Sequence, residues 1–223
     1  MRYTIDRMTL ADIPRVTEIE KLAYPSPWPS STYRKELQEN TNAHYIVVRD
    51  SHLKSVPAAA EPADHTRKHF TVPFIHGRAA TQQPVDLAAI IGFAGLWRVL
   101  DESHITTIAV HPGHRGNGAG ELLLNTLVEL SFELEVRHVT LEVRVSNTVA
   151  QNLYRKYGFI QTGIRRRYYS DNHEDAAIMT TSDITSPDYR EQFLLLRSAL
   201  IRRLADDESM AAHEPDAGSS GDE

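Results

Sequence analysis

The stretch Ile108-Ala109-Val110-His111-Pro112-Gly113-His114-Arg115-Gly116-Asn117-Gly118-Ala119-Gly120 concentrates residue types that grip phosphate. Glycines at 116, 118 and 120 let backbone N–H groups approach a ligand closely, and an apolar helical pattern directly behind them supplies the positive end of a helix dipole. Arg115 adds a cation. Downstream, Glu142 sits on the polar side of an alternating run and is suited to accepting a proton. Asn147 and Tyr154 lie seven residues apart, two helical turns, so an amide and a phenol share a helix face with Ala150 between them. His111 and His114 come with no third ligand at a recognisable spacing, so no metal site is expected.

Two named phosphate motifs can be compared with this turn. A nucleotide-hydrolysing P-loop ends in Gly-Lys-Ser/Thr, but Glu121-Leu122 follow Gly120, which leaves no lysine for a γ-phosphate and no hydroxyl for magnesium. The dinucleotide fingerprint GxGxxG comes closer, since strand, turn, helix and strand are present and Glu142 lies 22 residues past Gly120, near where a ribose-binding acid belongs. Its third glycine is missing. Taken singly, the residues also have plainer readings: a tight turn, a solvated strand carboxylate, a packing tyrosine.

The elements that must position these groups follow from periodicity. Arg2 to Arg7 reads as a strand, and Thr9 with Asp12 opens a helix whose Ile13, Val16 and Ile19 share a face. A Pro-rich turn through Trp28 leads to a short helix from about Ser31 to Glu39 and a strand from Ala43 to Arg49. Residues 51–86 lose all period and carry Pro57, Pro62, Pro73 and Pro84, an inserted and partly flexible loop. Leu87 to Leu100 and His104 to Val110 form an antiparallel hairpin. Leu123, Leu127, Leu130 and Leu134 make one helical stripe, and Val139, Leu141 and Val143 one strand face. A short helix over Asn147 to Tyr157, with Val149, Leu153 and Tyr157 as its core stripe, precedes strands over Phe159 to Tyr169 and Glu174 to Thr181. This makes a domain of residues 1–181. In the extension, 182–223, Ser186-Pro187 caps a helix over 187–205 whose Phe193, Leu196, Leu200 and Leu204 stripe docks on the chain's own domain, followed by an acidic disordered tail.

Composition excludes several classes. The net charge of -6 misleads if taken as uniform: residues 206–223 hold seven acids and no Lys or Arg, so the rest of the chain carries -6 + 7 = +1. That near-neutral body, without a basic run, offers no nucleic-acid footprint. There is no cysteine, hence no disulfide scaffold and no thiol nucleophile, in keeping with a reducing cytoplasm. No stretch is long and apolar enough for a signal peptide or a membrane span.

Arg115-Gly116-Asn117-Gly118-Ala119-Gly120 fits Arg/Gln-x-x-Gly-x-Gly/Ala, the pyrophosphate signature of the GCN5-related N-acetyltransferases. With Leu141-Glu142-Val143-Arg144-Val145-Ser146-Asn147, the run from Ala150 to Phe159, and Ile164-Arg165-Arg166-Arg167-Tyr168-Tyr169, the chain resembles the bacterial ribosomal-protein-alanine branch of that family over about residues 1–50 and 87–181. The resemblance implies an α/β acyl-CoA N-acyltransferase fold, with a mixed, mostly antiparallel sheet flanked by helices. It implies acetyl-CoA as co-substrate, with no metal, held by the backbone of Ile108, Ala109 and Val110, by Arg115, Gly116, Asn117, Gly118, Ala119, Gly120 and Glu121, and by Asn147. Glu142 becomes the general base and Tyr154 the general acid. The implied acceptor is the N-terminal α-amine of a protein, the alanine of ribosomal protein S18. Trp28, Tyr168 and Tyr169 are candidates to line its groove, and Asp101, Glu102, Asp171 and Glu174 to attract its basic end. Other readings stay open: a family member acting on another amine, a dinucleotide-binding oxidoreductase, or a noncatalytic acyl-CoA sensor.

Overall fold

The computed structural model describes residues 2–53, 87 and 89–211, so most of the expected loop 51–86 and most of the acidic tail lie outside the described residues. Seven strands form one sheet in the order β1-β2-β3-β4-β5-β7-β6. They are β1 (Tyr3–Arg7), β2 (Ala43–Asp50), β3 (Ile90–Val99), β4 (Glu102–Val110), β5 (His138–Arg144), β6 (Phe159–Arg165) and β7 (Ala176–Thr181). Only β4 and β5 run parallel; the other neighbours are antiparallel. The helices are α1 (Ile13–Ala23), α2 (Ser30–Glu39), α3 (Ala119–Glu133), α4 (Thr148–Lys156) and α5 (Pro187–Ala211). A mixed, mostly antiparallel sheet flanked by helices is thus the fold that the family resemblance implied.

Each face of the sheet has its own core. Ile13, Val16 and Ile19 of α1 and Tyr33 of α2 pack on Tyr45, Val47 and Phe93. Leu123, Leu127, Leu130 and Leu134 pack on the opposite face with Ile46, Ile91, Leu141 and Val143. The Thr9/Asp12 capping box forms, but it opens a single 3-10 turn, Leu10–Asp12, ahead of α1. Helix α5 covers α3 in the opposite direction: Phe193 stacks edge-on against Phe132 at 5.1 Å, Arg197 pairs with Glu129 at 3.2 Å, and Arg203 reaches Glu121 at 2.8 Å. Phe193, Leu200 and Leu204 are buried there, so the apolar stripe is spent on the chain's own domain. The helix runs six residues beyond its expected end, to Ala211, and the first acids of the tail are helical.

One irregularity places the site. Across β3, Gly95 pairs with Thr107 but Leu96 with Ile105, so Thr106 is an extra residue, a β-bulge whose hydroxyl donates to the Gly95 carbonyl at 3.2 Å. An added residue reverses the side-chain alternation. Ile105 and Val110, an odd number of positions apart, both enter the core under α3, while Ala109 joins the core under α1. The β4–β5 ladder has its last pair at Ile105 and Leu141. Beyond that point Thr106 to Val110 and Glu142 to Arg144 part company.

Candidate active site

The glycine turn ends beside this gap. Gly116 and Gly118 both have φ +83°, a conformation that costs a side-chain-bearing residue about 1–2 kcal/mol. Gly118 is the N-cap of α3. A Cβ on Gly116 would meet nothing within 4 Å, so the backbone there is open to a ligand, whereas one on Gly118 would lie 2.7 Å from Leu204 Cδ2 of α5. Arg115 is exposed, and its Nε donates to the Val110 carbonyl at 3.1 Å. The His111 ring accepts from the Gly113 amide at 3.2 Å and meets His114 edge-on at 5.4 Å. Burial, then the positive groups of Arg15, His114 and Arg115, hold its imidazole below the usual range, which marks the turn as electropositive. Exposed amides, two left-handed glycines and this charge suit a diphosphate.

The Glu121 side chain has a structural role that the sequence did not reveal. Its carboxylate takes Lys156 at 2.5 Å, Tyr157 at 3.1 Å and Arg203 at 2.8 Å, binding α3, α4 and α5 together. Burial pushes this carboxyl up, but the Lys156 and Arg203 bonds outweigh it and hold the group below its ordinary value. The side chain is therefore consumed structurally, and only its main chain is left for a coenzyme.

The gap beyond the bulge is partly furnished. The Tyr24 phenol donates to the Ile108 carbonyl at 2.7 Å and lies 3.2 Å from the Thr107 hydroxyl. Ile108, Ala109 and Val110, expected to offer unpaired groups to an acyl-CoA arm, all pair with β3 on one side, and the carbonyls of Ile108 and Val110 are engaged by Tyr24 and Arg115. Tyr24 was not singled out in the sequence. Burial pushes its phenol up to about 12.

Glu142 projects from β5 at the mouth of the gap, its side chain 7% exposed. Arg165 Nε sits 2.9 Å from Oε1, and His104 Nε2 sits 2.7 Å from Oε2. Burial pushes the carboxyl up, yet the His104 bond and the charges of His104 and Arg165 prevail and hold it below its ordinary value. Neither partner carried a sequence signal for this role. Tyr154, on α4, packs against Phe159 at 5.8 Å between ring centres. Burial, then the nearby phenols of Tyr24 and Tyr169, push it well above the tyrosine range, so it stays protonated at neutral pH. Burial likewise raises the Tyr169 phenol, with Tyr24 and Glu142 adding to the shift. Asn147 is the exposed N-cap of α4, its Oδ1 accepting from the Ala150 amide at 3.1 Å, which leaves its NH2 group for a ligand. The expected core stripe of α4 needs correction. Leu153 and Tyr157 do face the core, but Val149 is 81% exposed, and Ala150 and Tyr154 pack there beside the other two.

The residues expected on the acceptor side divide. Trp28 is half-buried against the α1/α2 core, its ring 5.9 Å from that of Tyr33. Its amide and the Tyr33 hydroxyl both donate to the buried Glu20 carboxylate, a device the sequence did not reveal. Tyr168 and Tyr169 lie in the β6–β7 connection, not in a strand, because β6 ends at Arg165. Arg144 stacks on Tyr169 at 3.8 Å. Asp171 and Glu174 do not await a basic peptide: both bind Arg144, at 2.7 and 3.1 Å, and Glu174 also accepts from the Ser146 amide.

Comparison with known proteins agrees with this geometry. Residues 13–159 match the acetyltransferase (GNAT) family. A Bacillus subtilis protein provisionally named a ribosomal protein bS18-alanine N-acetyltransferase is 38% identical over 179 residues, 80% of this chain and 94% of its own length. The ribosomal protein bS18-alanine N-acetyltransferase of Salmonella typhimurium is 32% identical over 79% of this chain and 95% of its own. The crystal structure of the Escherichia coli ribosomal-protein-S18-alanine N-acetyltransferase superposes with a TM-score of 0.60 at 26% identity, covering 81% of this chain and 94% of that one. No described helix is long and apolar enough to cross a membrane. With the family model matched over most of the chain and a relative 38% identical, the chain belongs to the GNAT family of acetyltransferases.

Proposed function

We propose that this enzyme transfers the acetyl group of acetyl-CoA to the N-terminal α-amine of a protein, the alanine that opens ribosomal protein S18. The observation that supports the reading is the parting of β4 from β5 just past Ile105 and Leu141, with Glu142 next on β5 and the left-handed glycine turn at the far end of β4. The names of the relatives support the choice of acceptor.

The thioester is already activated, so no nucleophile on the enzyme is required. Main-chain amides of Gly116 to Gly120, with Arg115, hold the diphosphate, and Asn147 holds the pantetheine arm through its free NH2. The backbone of Ile108 to Val110 lines that arm, with Tyr24 fixing its shape. Alignment of amine and thioester can supply about 7–11 kcal/mol of the barrier reduction. The Glu142 site removes the proton that an α-ammonium, with pKa about 8, must lose before it can attack. Tyr154, kept protonated by burial, gives its proton to the departing sulfur. Trp28, Tyr168 and Tyr169 border the acceptor's approach.

The test is mass spectrometry of S18 N-terminal peptides incubated with acetyl-CoA and the enzyme. An acetyl group on the alanine amine is expected. Glu142→Gln lowers the rate and shifts its pH dependence upward while acetyl-CoA binding by calorimetry is retained, and Tyr154→Phe chiefly lowers kcat. Unchanged turnover in both variants overturns the two assignments, and modification only of lysine side chains or polyamines overturns the acceptor.

A further inference from the structure

We propose that the base of this enzyme is a dyad in which Glu142 orients His104 and the proton leaving the substrate ammonium comes to rest on the His104 imidazole. This rests on the acetyl-transfer reading above and assigns a residue to one of its steps.

Both oxygens of Glu142 are already occupied, Oε1 by Arg165 and Oε2 by His104. A carboxylate so held has little basicity left for an ammonium. An ionised carboxylate only accepts hydrogen bonds, so the 2.7 Å contact requires a proton on His104 Nε2. In the neutral ring the remaining lone pair is then on Nδ1. This is the logic by which a carboxylate fixes one tautomer of a catalytic imidazole and stabilises the cation that forms. Exposure agrees with the division of labour: the His104 side chain is 29% accessible and that of Glu142 only 7%.

Position agrees as well. His104 immediately precedes Ile105, the last β4 residue paired to β5, so it stands at the foot of the gap. Its strand neighbours are Trp97 and Thr140, neither of them charged. The charged and titratable groups around it are Glu142 of β5, Arg165 of β6 and Tyr168 of the β6–β7 connection acting through Glu142, Glu102 two residues earlier on β4, His138 opposite Glu102, and Glu36 of α2 behind Trp97. In the step itself an N–H bond of the ammonium breaks and an N–H bond forms at Nδ1 of His104. The amine lone pair so released attacks the thioester carbon, and the imidazolium discharges its proton to water.

The experiment measures kcat/KM against pH for wild type, His104→Gln and His104→Ala on an N-terminal alanine peptide, with acetyl-CoA affinity by calorimetry. For His104→Gln, a fall of about 10²–10⁴-fold is expected with affinity kept within about twofold, and the acid limb moves to the pKa of the amine, about 8. Added imidazole restores part of the His104→Ala rate, which a structural role would not allow. Should the wild type acetylate the peptide while His104→Gln keeps its rate and acid limb, this proposal falls alone; a wild type inactive on the peptide removes the acceptor reading and the dyad with it. Nitrogen-15 NMR of the folded wild type is independent of the variants. It should show the neutral His104 ring protonated at Nε2 and free at Nδ1, and the opposite tautomer overturns the dyad.

Discussion

Gly116 and Gly118 provide an internal control for the seating of α5. Both have φ +83°, so alanine at either costs about 1–2 kcal/mol in backbone strain. Their surroundings differ. A Cβ at 116 meets nothing within 4 Å, and one at 118 would lie 2.7 Å from Leu204 Cδ2, where carbon pairs prefer about 3.5–4.0 Å. Leu204 is 5% exposed, so its packed side chain, or α5 with it, must give way. Overpacking of this kind costs about 1–3 kcal/mol. Gly118→Ala should therefore be less stable than Gly116→Ala by about 1–3 kcal/mol, which at about 2–4 °C per kcal/mol for a domain of this size separates their melting temperatures by about 2–12 °C. Thermal unfolding of both, alone and in a Leu204→Ala background, reads the difference. In that background the extra cost of Gly118→Ala should vanish, since the obstructing methyl is gone. Equal melting temperatures for the two alanine variants, or an extra cost that survives Leu204→Ala, would refute the docking of α5 on the turn.

Three further outcomes follow from the same structure. Tyr24→Phe leaves the Ile108 carbonyl without its phenol donor and should cost about 1–3 kcal/mol in chemical denaturation, together with a raised KM for acetyl-CoA; an unchanged KM argues against a role beside the coenzyme arm. Glu121 has a folded-state pKa below its ordinary 4.5, so its contribution is present above about pH 4.5 and is lost as the pH falls through the folded value. Glu121→Gln should thus be less stable at neutral pH with a flatter acid limb, and stability curves parallel to wild type from pH 7 to 3 would contradict the three-helix clamp. Val149→Ser, at an exposed position, should change stability by no more than about 0.5 kcal/mol, and a loss of several times that would restore Val149 to the core.

How much of this was legible in the sequence depended on the range of the interaction. The glycine turn, the leucine stripe of α3 and the alternation of Val139, Leu141 and Val143 are local patterns, and they foretold their elements to within a few residues. The α5 stripe, too, announced a buried face. The bulge at Thr106 left no such trace: Thr-Thr is ordinary strand sequence, and the extra residue shows only against its partner strand. Val149 misled because two overlapping arcs fit the short helix α4, and only the tilt of the packed helix chooses between them. The links Glu142–His104, Glu142–Arg165, Glu121–Arg203 and Tyr24–Ile108 join residues far apart in the chain, and charge or polarity alone does not say who pairs with whom.

The clamp at Glu121 joins the beginning of α3 to the end of α4 and the far part of α5, so three separate stretches meet one turn after the glycines. A ribosome delivers Arg203 more than 80 residues after Glu121. The surroundings of the glycine turn are accordingly among the last features to be locked during synthesis, and a nascent chain lacking α5 carries that turn without the brace beside it.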